Sequence, residues 1–154
     1  MIPPNVEPTC VPYPPAGMPV DRWDALTLLA ATVLGEAEGE CQTGKLAVAS
    51  VILERVRDPR WPGSVHGVCL QPWQFSCWNS NSPRIATMMA PRKRTSAAVW
   101  LDCFSAASSQ FFNLQVSPVP GSNHYCTTEV VERTSWARGR PPSGVIGLHS
   151  FFRL

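Results

Sequence analysis

The sequence predicts a mixed α+β single domain that is predominantly helical, with one loop-rich side able to form a substrate cleft. Three observations lead there. Apolar residues recur at helical spacing in separate stretches between Asp21 and Ser109. Proline, glycine and serine crowd residues 57–82 and the chain beyond Asn113, where short strands and turns are expected instead of helix. The 154 residues, 44% hydrophobic and 16% charged, suit one core and exclude a wholly disordered chain.

Residues 1–20 hold seven prolines and read as an extended arm with polyproline character, either a loose tail or a segment that docks on a partner. Residues 21–154 form the domain. Asp21 is expected to cap the first helix, with Asp24 three residues on closing a capping box. Trp23, Leu26, Ala30, Val33 and Ala37 give that helix one apolar face, and Gly39 ends it. A second helix opens near Thr43, turns Leu46, Ala49, Ile52, Leu53 and Val56 inward, and stops before Asp58-Pro59. Residues 57–82 read as a long structured loop. Ser82-Pro83 begins a short helix ending before Pro91. A third long helix runs from about Thr95 to Ser109, with Val99, Cys103, Phe104 and Ala107 inward.

A net charge of +2 is too mild to announce a nucleic-acid binder, and no nucleic-acid partner is expected. The longest apolar run, Ala25 to Leu34, falls well short of the ~20 residues that span a bilayer. Met-Ile-Pro-Pro at the start lacks a basic region followed by an apolar core, so no signal peptide is expected. Six cysteines include no C-x-x-C pair, which argues against a zinc ribbon; reduced, buried thiols are favoured over disulfides. His66, His124 and His149, even with Cys126, match no closed zinc spacing, and neither a metal nor a cofactor is expected. Arg92-Lys93-Arg94 reads as a solvated basic turn.

The most informative stretch is Gly35-Glu36-Ala37-Glu38-Gly39-Glu40. Glu36 lies three residues after Val33 and seven after Leu29, at the border of the apolar stripe. A carboxyl held against apolar walls has its charged form disfavoured and can donate a proton near neutral pH, as a general acid on a glycosidic oxygen must. The plain alternative is three solvated glutamates at a helix end. A second stretch, Gln71 to Asn79, sets Trp73, Phe75 and Trp78 among amides and hydroxyls. It suits a sugar surface, ring faces on pyranose CH groups, or equally a small core under the loop. A third comprises Ser122-Asn123-His124-Tyr125, Trp136, and His149 to Arg153.

Together these segments resemble the SleB-type cell wall hydrolases, the family of spore cortex-lytic enzymes and related bacterial and phage proteins. The family's G-E-A-R-G-E is met by Gly35 to Glu40, and its G-x-x-A-V-A-x-V-I-L-N-R-V by Gly44 to Val56. Trp61-Pro62 through Gly67-Val68, Gln74-Phe75-Ser76, Asn123-His124-Tyr125, Trp136 and Ile146 to Phe152 follow in the family's order, covering about residues 22–154. The family's arginine is Glu38 here, its asparagine before Arg-Val is Glu54, and the second histidine of T-H-Y-H is Cys126. Its late asparagine and tyrosine are Leu148 and Phe152.

The resemblance implies a lysozyme-like fold with Glu36 as the catalytic acid. It implies substrate-binding roles for Gln74, Phe75, Ser76, Trp78, His124, Tyr125 and His149. The implied activity is cleavage of the β-1,4 bond between N-acetylmuramic acid and N-acetylglucosamine in peptidoglycan glycan strands, as a lytic transglycosylase giving 1,6-anhydromuramic ends. A hydrolytic muramidase and an inactive peptidoglycan-binding or virion structural module are the alternatives. The expected site of action is the bacterial cell wall or periplasm, reached as a phage lysin released through a holin or as a virion component. In the latter case the proline arm would dock on virion proteins.

Overall fold

The computed structural model describes residues 11–154. Cys10 and the first half of the expected arm lie outside the described residues. Val20–Arg22 make one turn of 3-10 helix, then α1 (Ala25–Ala37), α2 (Gln42–Arg57), α3 (Val65–Cys69), α4 (Ile85–Met89), α5 (Pro91–Arg94) and α6 (Ala97–Phe111) follow. Three short strands close the chain: β1 (His124–Thr127), β2 (Gly144–Ile146) and β3 (His149–Phe152).

The cap of α1 is Asp24, which corrects the expectation of Asp21. Asp24 Oδ2 accepts from Thr27 N at 2.8 Å and its Oδ1 from Thr27 Oγ1 at 2.7 Å, satisfying a donor that the helix itself cannot. Asp21 lies in the preceding 3-10 turn. The single apolar face expected of α1 is also corrected. Leu28, Leu29, Ala30, Ala31, Val33 and Leu34 are all fully buried, because α2, α3, α4 and α6 pack around the helix. A helix apolar on all sides belongs in the middle of a core.

α2 starts within a residue of its expected position and buries Ala49, Ile52 and Leu53; Leu46 and Val56 are half-buried. Ser96 caps α6 by accepting from Val99 N at 3.1 Å. The long loop contains α3, whose cap Ser64 accepts from Gly67 N at 2.9 Å. The described part of the arm lies on the domain. Tyr13 stacks on Trp100 with ring centroids 5.8 Å apart, and Trp100 Nε1 donates to Pro12 O at 3.1 Å.

The sheet has the order β1-β3-β2 with both pairings antiparallel. Tyr125 stands opposite Phe151, His124 opposite Phe152 and Thr127 opposite His149. Since neighbours along a strand face opposite ways, Tyr125, Thr127, His149 and Phe151 share one face and His124, Cys126, Ser150 and Phe152 the other. Cys69, Cys77 and Cys103 are buried free thiols, Cys126 is half-buried and Cys41 exposed. Among the described residues no helix is long and apolar enough to cross a membrane.

Candidate active site

α1 delivers Glu36 to the wall of a cleft of about 560 Å³, which Ser76, Asn79, Arg84, Thr127 and His149 also line. Bringing the helix this close to the 76–78 turn requires Gly35. A Cβ there would lie 2.5 Å from Met88 Sδ and 2.8 Å from both Cβ and Sγ of Cys77, closer than atoms can approach. The Cys77 thiol is thereby set within hydrogen-bonding reach of Glu36, and its ionisation is pushed up by burial first and by Glu36 next. It is an inert thiol.

From the other side, Tyr125 Oη donates to Glu36 Oε2 at 2.8 Å. The sheet holds that tyrosine in place, its ring 5.6 Å from Phe151 and 5.2 Å from His149, centroid to centroid. Burial raises the Tyr125 hydroxyl well above its ordinary pKa, with the adjoining Glu36 carboxylate the second cause, so it remains a donor. Behind it lies Arg55, buried, its Nε donating to Asn123 O at 2.7 Å and its guanidinium 5.5 Å from the ring centroids of Trp61 and Phe75. Burial lowers the Arg55 pKa, opposed by the nearby Tyr125, Cys69 and Glu36.

Three half-buried glutamates at the end of α1 hold three different parts of the molecule, which corrects the alternative of a solvated acidic run. Glu38 accepts from Arg84 Nη2 and, at 3.1 Å, from Thr95 Oγ1. Glu40 Oε1 accepts from Leu148 N at 3.3 Å, in the two-residue turn between β2 and β3. The same oxygen is 3.0 Å from His149 Nδ1. The two atoms are close but not aligned as a hydrogen bond, and among the described residues Nδ1 has no hydrogen-bond partner. Of the three, Glu36 alone lines this cleft, with Oε2 accepting from Tyr125 Oη and the Cys77 thiol close by.

The family model for cell wall hydrolases matches residues 39–152. The chain belongs to the SleB-type cell wall hydrolase family. It is 31% identical over 126 residues to a spore cortex-lytic enzyme of Halalkalibacterium halodurans, covering 82% of this chain and 34% of that one. With the spore cortex-lytic enzyme of Bacillus subtilis the figures are 32% over 131 residues, 82% and 36%. The chain thus spans about a third of the length of these curated relatives. The catalytic domain of the Bacillus cereus SleB protein superposes with a TM-score of 0.64 at 25% identity, covering 91% of this chain and 95% of that one. The catalytic domain of the germination-specific lytic transglycosylase SleB from Bacillus anthracis shares the fold at the same TM-score, with 24% identity and 90% and 99% coverage. The α+β, mainly helical architecture expected from the sequence is that of these SleB domains. The family match begins at Gly39, three residues past Glu36.

The other sequence-derived candidates fall into two groups. Ser76, Tyr125 and His149 gather at Glu36. Gln74 is exposed and outside the residues lining the cleft, whereas Phe75 is buried beneath Arg55. Trp78 is half-buried, its Nε1 donating to Thr32 Oγ1 at 2.9 Å and its ring edge-on to Trp23. His124 lies on the far face of the sheet between Trp61 and Trp136, at 5.6 and 5.0 Å. His66 Nε2 meets Trp23 O at 2.7 Å, so the three histidines stand in three separate settings.

Sequence reasoning missed Thr127, Asn81 and Arg84, whereas Asn79 closes the Gln71–Asn79 stretch expected to meet sugar. For Thr127 a signal existed, since it is two residues from Tyr125 on a strand. Arg84 had none, because its partner Glu38 is 46 residues away.

Proposed function

We propose that this chain cuts peptidoglycan glycan strands between N-acetylmuramic acid and N-acetylglucosamine, as a lytic transglycosylase with Glu36 as the single acid and base. One observation supports this above others: Glu36 is the single carboxylate among the described residues lining the 560 Å³ cleft, and Glu40, which shares an adjoining hollow with it, is bonded to the β2–β3 turn. Glu38 is held by Arg84, Glu40 by the β2–β3 turn, Glu54 pairs with Arg57 and Asp58 with Arg60. Hydrolysis would need a second free carboxylate at ~5–5.5 Å or ~6.5–9.5 Å across the substrate. The cell-wall-lytic relatives support the substrate class.

Tyr125 donates to Oε2, so the transferable proton of Glu36 belongs on Oε1. Glu36 protonates the leaving oxygen of the glucosamine as the bond to muramic C1 breaks. As a carboxylate it then takes the proton from the muramic 6-hydroxyl while that oxygen attacks C1, closing the 1,6-anhydro ring. The nucleophile belongs to the substrate, so proximity replaces an external water. Tyr125, still donating, stabilises the carboxylate between the two transfers.

Digestion of purified peptidoglycan in ¹⁸O-labelled water, followed by mass spectrometry, tests the reading. Anhydromuropeptides without label are expected, and Glu36→Gln should lower their release by roughly 10²–10⁴. Labelled reducing muramic ends would show a muramidase instead, and freed stem-peptide amines on intact strands would remove both. Delivery through a holin or inside a virion belongs to the same proposal; mass spectrometry of purified virions distinguishes the two routes.

A further inference from the structure

We propose that Trp73, with the amides of Asn79 and Asn81, forms an outer subsite that continues the Glu36 cleft and binds an uncharged N-acetylhexosamine of the same strand, an inference resting on the glycan-cutting reading. Trp73 is 81% exposed, whereas the other five tryptophans are buried or half-buried. Its backbone has φ 66°, a left-handed conformation that costs a bulky residue energy and persists only where the surroundings impose it. The surroundings here are firm. Gln74 N closes a turn on Gln71 O at 3.2 Å, Phe75 is buried beneath Arg55, and Cys77 abuts Gly35. A strained backbone thus holds outward an indole that contributes nothing to the core.

Beside the indole is a hollow of about 330 Å³ lined by Pro72, Trp73, Asn79, Ser80 and Asn81. Asn79 and Asn81 also line the Glu36 cleft, so the two spaces adjoin along these amides. An indole face packs on the CH groups of a pyranose, and the Asn amides offer both donors and acceptors to hydroxyl and acetamido groups. No charged side chain lines the hollow, which favours a neutral sugar over an anionic group.

Binding is measured in Glu36→Gln protein, where strands stay intact, by calorimetry with peptide-free glycan strands of two and of eight sugars. Adding Trp73→Ala should weaken binding of the octasaccharide roughly tenfold, the effect of losing one good aromatic contact, and leave the disaccharide unchanged. Trp73→Phe should restore most of the loss. The octasaccharide should also shield an exposed indole from acrylamide quenching in the Glu36→Gln protein and not in Glu36→Gln/Trp73→Phe. This second readout decides should Trp73→Ala fold poorly. Unchanged octasaccharide affinity, or equal loss for both lengths, overturns the subsite while wild-type muropeptide release keeps the cutting reading intact. No strand binding together with no muropeptide release overturns both.

Discussion

Gly147→Ala should detach the β2–β3 turn from the end of α1, and its cost can be worked from two distances. Gly147 has φ +56°, and a Cβ added there would lie 2.0 Å from Glu40 Oε2 and 3.0 Å from Glu40 Cδ. The left-handed backbone alone costs alanine roughly 1 kcal/mol. Relieving the overlap, by moving Glu40 or the turn, adds roughly 1–3 kcal/mol. The total is about 2–4 kcal/mol, which at roughly 2–4 °C per kcal/mol for a domain of this size lowers Tm by about 4–16 °C. Urea unfolding of wild type, Gly147→Ala, Glu40→Ala and the double variant separates the two parts. With Glu40 truncated the obstruction is gone, so Gly147→Ala should then cost only the backbone part. The cycle should show a coupling of roughly 1–3 kcal/mol. Strict additivity would refute the clip between Glu40 and the turn, and would return Glu40 to the pool of free carboxylates that a hydrolytic mechanism needs.

Tyr125→Phe keeps the ring against Phe151 and His149 but removes the donor to Glu36 Oε2. A hydrogen bond to a charged group is worth roughly 1.5–3 kcal/mol, so kcat/KM should fall roughly tenfold to a hundredfold, and near wild-type turnover would contradict the role. His124 has its pKa pushed down to about 4 by burial first, then by Arg55 and Arg60. The unfolded chain, near 6.5, therefore takes up a proton that the folded one refuses, and stability should fall as pH drops from about 6.5 toward 4. His124→Phe should flatten that slope in denaturant titrations at pH 7, 6 and 5; an unchanged slope would refute it. Dialysis against EDTA should leave activity unchanged, whereas a loss reversed by zinc would point to a metal-dependent amidase.

What could be read from the sequence followed the range of each signal. Helical periodicity is local, and α1, α2 and α6 were legible within about three residues at their ends. α3 was hidden because five residues are too few for a period, although its cap Ser64 could be seen. The cap of α1 went to Asp24 because the backbone is extended at Trp23 and Asp24, with ψ 155° and 153°, which ends the 3-10 turn at 20–22 before the α-helix begins. The place of Glu36 at the border of the apolar stripe was legible beside Val33 and Leu29, though that spacing suited a solvated glutamate as well, and Tyr125, which donates to it, is 89 residues away. No local pattern encodes such a distance; the matching family segments did. Strand alternation alone would have parted His124 from Tyr125, had the short β1 been recognised as a strand.

The departures from the family pattern bear on whether the chain is an enzyme or only a wall-binding module. Cys126 replaces a histidine on the sheet face that looks away from Glu36. Phe152 lies on that same face, buried edge-on against Trp136, where a ring suffices and a hydroxyl has no evident task. Leu148 is 72% exposed and contributes its backbone N–H to Glu40, a bond that any residue but proline can make. Glu38 has exchanged the sign of its charge and pairs with Arg84, while Glu54 sits at the surface beside Arg57. None of the five substitutions replaces a residue that touches Glu36, and Gly35, Cys77, Tyr125 and His149 still frame it. A module kept only for binding has no use for a glycine that wedges one helix against Cys77, nor for a half-buried tyrosine aimed at a cleft carboxylate. Their joint presence favours catalysis.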